Sequence, residues 1–356
     1  TAAGGSFNDG TLLRINSGGA LLTLASLNGV NGTAPVAGLV QGNDGNFYGT
    51  TENGGTNNNG TIFRVTTNGT LTNIWQFGSD TNTGAAPLAS LVQGPDGNFY
   101  GTAPFGGSNG VGTVFQITPQ GMLTNLWQFA TNNLTNGIVP VAPRVQGNDG
   151  YFYGTTEGGG TNNMGTIFRI TTNGILTSLW SFSGTDGKNP VGLALGSDGD
   201  FYGTTQHGGT NADGTIFRFN PQGTLTTLWQ FGSDTNTGVD PLGTLVQGAD
   251  GNWYGTAASG GTNNNGTVFE MIVAPNPPTN EIASIKLDSS GTNVILSIPV
   301  PAHETCQLQF SPSLNPTSWT NVPNGLVTNS PGGLLTFTNF GVKSGPQGFF
   351  RFAITP

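Results

Sequence analysis

Asn43-Asp44-Gly45-Asn46-Phe47-Tyr48-Gly49-Thr50 is a turn dipeptide followed by a short aromatic run, and close relatives of it stand at 95–102, 148–155, 197–204 and 249–256. The Asp-Gly step falls at Asp44, Asp96, Asp149, Asp198 and Asp250, so the period is 52, 53, 49 and 52 residues. A period near 50 with strand-like content points to a repeat architecture. Within one period, runs rich in β-branched and aromatic residues alternate with turn chemistry; in the second copy they are 87–94, 98–102, 112–118 and 122–129. Four short strands per repeat predict one propeller blade. Asp-Gly supplies the positive φ of a tight hairpin between the first and second strands, and the Gly-Gly steps at 54–55, 106–107 and 208–209 open the longer loop that follows. The five aspartates are read as turn formers rather than calcium ligands, because the carboxylate spacing of calcium loops is missing.

Charged residues make up only 8% of the 356, and Gly accounts for 60, a composition that would suggest disorder if it lacked a period. The 22 Phe, 6 Trp and 6 Tyr recur at fixed places instead, as a folded repeat requires. Net charge is −9 with nine basic side chains spread over the whole length, which argues against nucleic acid as a partner. Cys306, the single cysteine, rules out an intrachain disulfide framework and is read as a small hydrophobe in a strand. No run of 18 apolar residues occurs, so no membrane span is expected. Wealth in Asn, Thr, Gly and Ser with poverty in Lys fits an extracellular protein.

The strand count carries a complication. The third-strand pattern Gly-Thr-x-Phe begins at Gly60, Gly112, Gly165, Gly214 and Gly266, with a looser sixth copy at Gly10, whereas the other strand types occur five times. The total is 21 strands where five complete blades need 20. Thr1-Ala2-Ala3-Gly4-Gly5 lines up with 256–261, so the chain begins inside a repeat. Ring closure would let 20–27 complete the last blade beside 266–273, leaving one third-type strand over. That surplus strand, Thr11, Leu12, Leu13, Arg14 and Ile15 or its competitor, could be given to another molecule, since strand addition at a sheet edge builds polymers. The expected fold class is therefore all-β: a five-bladed β-propeller over 1–273, a Pro-rich linker at 274–280, and a small antiparallel β-sandwich over 281–356.

The repeat, as Leu91-Val92-Gln93-Gly94-x-Asp96-Gly97-Asn98-Phe99-Tyr100-Gly101-Thr102 followed by Gly112-Thr113-Val114-Phe115, resembles the GloVer-type, choice-of-anchor tandem repeat of secreted bacterial proteins. The resemblance covers 1 to about 273 and implies an extracellular propeller-like domain, without bringing catalytic residues. Residues 304–352, with Gln307-Leu308-Gln309-Phe310-Ser311, Ser318-Trp319-Thr320 and Gly348-Phe349-Phe350-Arg351, look like a small fibronectin-like or immunoglobulin-like domain.

Acid–base chemistry needs titratable groups held within reach of one another, and the only histidines, His207 and His303, fall in different expected domains. No cofactor and no metal site are expected. Candidate binding residues are Arg64, Arg169 and Arg218, which share one place in the repeat with Glu270, together with His207 and Trp253. Glu52 with Arg64 and Glu157 with Arg169 suggest a cross-strand pair. Trp75, Trp127, Trp180 and Trp229 recur at one register and are read as packing between blades. The leading functional expectation is a non-catalytic structural or adhesive protein whose partner is a second copy of itself. A lectin-like propeller that takes an extracellular glycan is the alternative, and a polysaccharide-acting enzyme the third.

Overall fold

The computed structural model describes residues 1–78, 82–141, 145–232 and 238–272, together with the backbone of six strands beyond them. Two compact units divide the chain, Thr1–Met271 and Ile272–Pro356. In the first, an initial hairpin of β1 (Thr11–Ile15) and β2 (Leu21–Ser26) precedes four antiparallel four-stranded sheets in succession. These are β3–β6 (Val40–Gln41, Phe47–Thr51, Thr61–Val65, Leu71–Gln76) and β7–β10 (Val92–Gln93, Phe99–Ala103, Thr113–Ile117, Leu123–Gln128). Then come β11–β14 (Val145–Gln146, Phe152–Thr156, Thr166–Ile170, Leu176–Ser181) and β15–β18 (Lys188–Leu195, Phe201–His207, Thr215–Phe219, Leu225–Gln230). A last sheet holds β19 (Val239–Pro241), β20 (Val246–Gln247), β21 (Trp253–Ser259) and β22 (Thr267–Met271). β19 and β20 both pair with β21, and β21 pairs with β22; among the described residues no fourth-type strand joins this sheet.

The repeating sequence builds each sheet by the same local chemistry. Gly45 turns the chain at φ 79°, Asp44 Oδ1 accepts the Asn46 N–H at 3.1 Å, and Asp44 Oδ2 accepts the Tyr48 hydroxyl at 2.8 Å. The hydroxyl contact recurs at Tyr100–Asp96, Tyr153–Asp149, Tyr202–Asp198 and Tyr254–Asp250, between 2.6 and 2.8 Å. The tyrosine of one repeat then lays its ring on the aromatic residue of the next: Tyr48 on Phe99, Tyr100 on Phe152, Tyr153 on Phe201 and Tyr202 on Trp253, with centroids 4.0 to 4.4 Å apart. Edge-on pairs lie alongside, from Phe77–Phe115 to Phe231–Phe269. Aromatic pairs of these geometries contribute about 0.5–1.5 kcal/mol each beyond the area they bury. The core is thus a series of inter-repeat clusters, such as Tyr48, Ile62, Phe77, Phe99 and Phe115.

A second joint between repeats is not apparent in the periodic pattern. Ala34, Ala86, Val139, Asn189 and Asp240 all take φ between 51° and 58°, an unfavourable region for residues other than glycine, and each precedes a proline. Their N–H groups donate to carbonyls of the preceding repeat, at Asp9, Asn59, Val111, Met164 and Asp213. The proline then covers the glycine that opens the earlier third strand: a Cβ at Gly10, Gly60, Gly112, Gly165 or Gly214 would meet its Cδ at 2.4 to 2.8 Å. The backbone is held in a costly conformation because hydrogen bonding and close packing across the joint over-determine it.

The closure expected from the strand count is corrected here. β2 pairs with β1, from Thr11↔Ser26 to Ile15↔Leu21, rather than with β22. The physical reason is loop length: a hairpin closes over a handful of residues, whereas joining β2 to β22 closes a loop of more than two hundred. The leftover third-type strand is accordingly folded back on its own chain.

In the second unit, β23 (Ser284–Leu287), β24 (Asn293–Val300) and β27 (Gly333–Gly341) form one three-stranded sheet. β25 (Glu304–Ser311), β26 (Thr320–Asn329) and β28 (Phe349–Thr355) form another. Cys306 falls on β25, while the expected linker at 274–280 lies outside the described residues. Among the described residues no helix is long and apolar enough to cross a membrane; the one helical turn is Leu134–Asn136.

Candidate functional site: the polar register and the exposed face of the last described repeat

The third strands place Arg64, Arg169, Arg218 and Glu270 at one register, opposite Tyr48, Tyr153, Tyr202 and Tyr254. The expected Glu52–Arg64 and Glu157–Arg169 pairs are therefore not formed, because in each ladder the tyrosine, four residues before the glutamate, faces the arginine. Each basic side chain instead joins the Asp–Tyr turn. Arg218 Nε bonds the Asp200 carboxylate, and the Arg169 guanidinium lies 4.6 Å from the Tyr151 ring centroid. Burial raises Asp200 above the ordinary carboxylate range, and the bond from Arg218 only partly offsets it. Burial also pushes Asp44 and Asp96 upward, but hydrogen bonds from Asn46 and Tyr48, and from Tyr100 and Asn98, outweigh it and leave both below their ordinary value. Burial, then the bond to the aspartate, pushes Tyr48 and Tyr153 up to about 12.

His207 does not belong to this group. It ends β16 opposite Lys188, and its Nδ1 lies 3.1 Å from the Asp240 carboxylate, where the fourth sheet meets the last. Trp253, expected as a binding residue, is 1% exposed, stacked beneath Tyr202 in the place held elsewhere by Phe99, Phe152 and Phe201. Trp75, Trp127 and Trp180 flank the inter-repeat clusters half-buried. Trp229, next to the incomplete last sheet, is exposed.

What the sequence reading missed is how the series ends. Ile62, Val114, Ile167 and Ile216 are 0 to 2% exposed, each covered by the following repeat; their counterpart Val268 is 80% exposed. Among the described residues Tyr254 has no aromatic ring laid on it, and Phe47, at the other end, has no tyrosine. Beside Phe47 is a cavity of about 400 Å³ lined by Leu13, Arg14, Ile15, Leu24, Leu39 and Thr67. Phe63 and Val65 there are covered by Leu12 and Leu24 of the hairpin, but Leu39 and Ile15 remain exposed.

The last repeat is also electrostatically different. Tyr254 Oη lies 2.6 Å from Asp250 and 2.9 Å from Glu270, and its one proton can serve only one of the two carboxylates. Asn252 Nδ2 bridges to both, at 3.3 and 2.8 Å. The bonds to Asp250 and then Glu270 raise the Tyr254 hydroxyl well above its ordinary value. Earlier repeats with Arg or Gln at that register bring a donor to the same place; Gln116 donates to both Asp96 and Tyr100.

An alternation of Asp–Tyr turns and aromatic joints over five copies defines a repeat β-propeller, and its sequence belongs to the Gloeobacter/Verrucomicrobia repeat family, whose model matches residues 1–143 and 130–295. Similar solved structures are virginiamycin B lyase from Staphylococcus aureus and a streptogramin B lyase, both 18% identical with a TM-score of 0.50. The matches cover 82% of this chain and 86% and 85% of those chains, a likeness that bears on the fold alone. A comparison with curated proteins gave no match.

Proposed function

We propose that this protein is a non-catalytic structural or adhesive component of the bacterial cell surface or extracellular matrix, which assembles with copies of itself through the exposed apolar face of its last described repeat. The carrying observation is the 80% exposure of Val268 beside 0 to 2% at its four counterparts. Among the described residues no repeat covers this apolar position, and exposed apolar surface of this kind marks interaction sites. The polar side chains that recur in each repeat support the same reading, since the aspartates and tyrosines hold turns and the arginines bond to them. On this reading the first unit is a propeller of five repeats, and the second is a small sandwich that serves as an attachment module. Trp253 is buried and so is not a ring on which a glycan could stack. The lyase chemistry of the two similar structures belongs to those proteins.

Sedimentation velocity from low to high micromolar concentration, with negative-stain imaging, tests the proposal. Growth into dimers and longer assemblies is expected. A monomer at every concentration overturns it.

A further inference from the structure

The outer strand of the first four-stranded sheet borders a cavity of about 380 Å³, lined by Thr56, Asn57, Asn73, Ile74, Trp75 and Gln76. Small-molecule sites are on the order of 300–1,000 Å³. The ladder with β5 sets Trp75 against Ile62 and Asn73 against Phe63, so Ile74 is the extra residue of a β-bulge on this edge strand. Gln76 Oε1 ties the strand to the neighbouring loop, accepting the Thr56 N–H and the Thr56 hydroxyl at 2.7 Å each. The preceding segment is fastened to the same strand, since Asn73 Nδ2 donates to Val30 O at 3.3 Å. The walls of the cavity are thus held in place from both sides.

Several polar groups of this lining make no hydrogen bond within the protein. Asn73 Oδ1 and Trp75 Nε1 are buried and unpartnered, and so are Asn125 Oδ1 and Trp127 Nε1 at the same places in the second sheet. A buried donor or acceptor left unpaired is costly, yet two adjacent repeats keep the pair. In the third sheet the demand is met internally: Trp180 Nε1 donates to Asp186 Oδ2 at 2.9 Å, and Ser178 stands where the amide was. Asn57 differs from its counterparts as well. Asn109, Asn162 and Asn211 donate their amides to the carbonyls of Phe129, Phe182 and Phe231, at 3.2, 3.2 and 2.9 Å, whereas Asn57 lines the cavity without that bond.

We propose that this cavity is a subsite for a neutral saccharide. All six lining residues are uncharged, so neither an anion nor a cation finds a counter-charge there. A hydroxyl both donates and accepts, and a polyol therefore answers an unpartnered donor and an unpartnered acceptor in one cavity without bringing charge. Asn57, exposed at the rim, takes one hydroxyl through its amide. Asn73 and Trp75 are half-buried, so a small turn about χ2 brings Oδ1 and Nε1 to others. An extended peptide is the poorer occupant, because the bulge at Ile74 breaks the regular spacing of backbone groups that an added strand needs. The subsite lies on β6 of the first sheet and stands apart from the assembly proposed at Val268.

Titration of the full ¹⁵N-labelled chain, read at its tryptophan indole N–H resonances, tests this. The probes are cellotetraose, mannotetraose and tetra-N-acetylchitotetraose, with tetragalacturonate and a neutral tetrapeptide as the charged and peptide comparisons. At least one neutral sugar is expected to shift the Trp75 indole signal, assigned by its loss in Trp75→Phe, along a saturating curve, while the Trp180 signal, already bonded to Asp186, stays in place. Asn57→Ala, which removes no bond within the protein, and Asn73→Ser, which installs the residue of the third sheet, are each expected to weaken binding about tenfold. Asn162→Ala, at a counterpart engaged with Phe182 O, is expected to leave the affinity unchanged. No saturable shift with any neutral sugar at about 10 mM overturns the proposal. So does an affinity indifferent to both Asn57→Ala and Asn73→Ser, or a shift caused only by tetragalacturonate or the peptide. Failure here leaves the self-assembling function standing, since sedimentation of the sugar-free chain decides that separately.

Discussion

β13 and β22 carry nearly the same sequence, Thr-Ile-Phe-Arg-Ile and Thr-Val-Phe-Glu-Met, and pair with their second-type strands in the same register. In β13 both Ile167 and Phe168 are fully buried; in β22 Val268 is 80% exposed. A third strand therefore obtains its ladder from its own repeat and its burial from the following one. The same division holds for the Asp–Tyr turn, which forms locally in all five copies, and the tyrosine–aromatic stack, which forms only where a following repeat exists.

Substitutions at matched positions in interior and terminal repeats sharpen that contrast. Val114→Ala should cost about 2 kcal/mol or more, from two lost buried methyl groups and the cavity they leave. Val268→Ala in the dilute chain should stay within about 0.5 kcal/mol. Urea unfolding of both variants decides the point, and similar losses would break the comparison. Gly101→Ala should cost about 1–3 kcal/mol, because the new Cβ falls 2.3 Å from Phe115 Cζ in a fully buried site. Gly255→Ala meets Phe269 at 2.4 Å, but that ring is only half-buried and can turn outward, so thermal unfolding should show a smaller drop.

Removing one hydroxyl has a gentler effect. Tyr100→Phe deletes both the bond to Asp96 at 2.7 Å and that from Gln116 at 2.9 Å, and should cost about 1–2 kcal/mol. Tyr254→Phe should cost less, since the same change removes a hydroxyl crowded by two carboxylates.

The smallest effects concern pH. Tyr48 and Tyr153 are raised in the folded state to about 12 from 10.0, so their contribution is present in full below pH 10 and is lost as pH rises to about 12. Asp44 and Asp96 are lowered from 3.8, so theirs is present above that pH and is lost as pH falls below it. Absorbance at 295 nm followed with circular dichroism should show these tyrosines ionising together with alkaline unfolding. Ionisation near pH 10 in a folded chain would contradict the Asp–Tyr geometry.

Much of the architecture is legible without coordinates. Repeat length, the Asp-Gly hairpins and the four-strand pattern follow from periodicity, because turn chemistry and alternation act over a few residues. The joints were less legible. Nothing in Ala34-Pro35 or Val139-Pro140 announces a left-handed residue, since the partners that impose it, at Asp9 and Val111, belong to the preceding repeat. Trp253 reads as a candidate binding residue until Tyr202, fifty-one residues earlier, is seen lying on it. Arg64 reads as a partner for Glu52 until the register sets it against Tyr48.

By itself, then, the sequence determined the unit: a twisted four-stranded sheet repeated every half-hundred residues, with a tyrosine returned to the aspartate of its own turn. Only the tertiary structure decided which faces a neighbouring repeat covers, with β2 kept by β1 and Val268 exposed where its counterparts are buried. The reason is one of range. A hairpin is selected by forces within a dozen residues, whereas the cover over a third strand comes from the repeat that follows, which no single stretch of chain encodes.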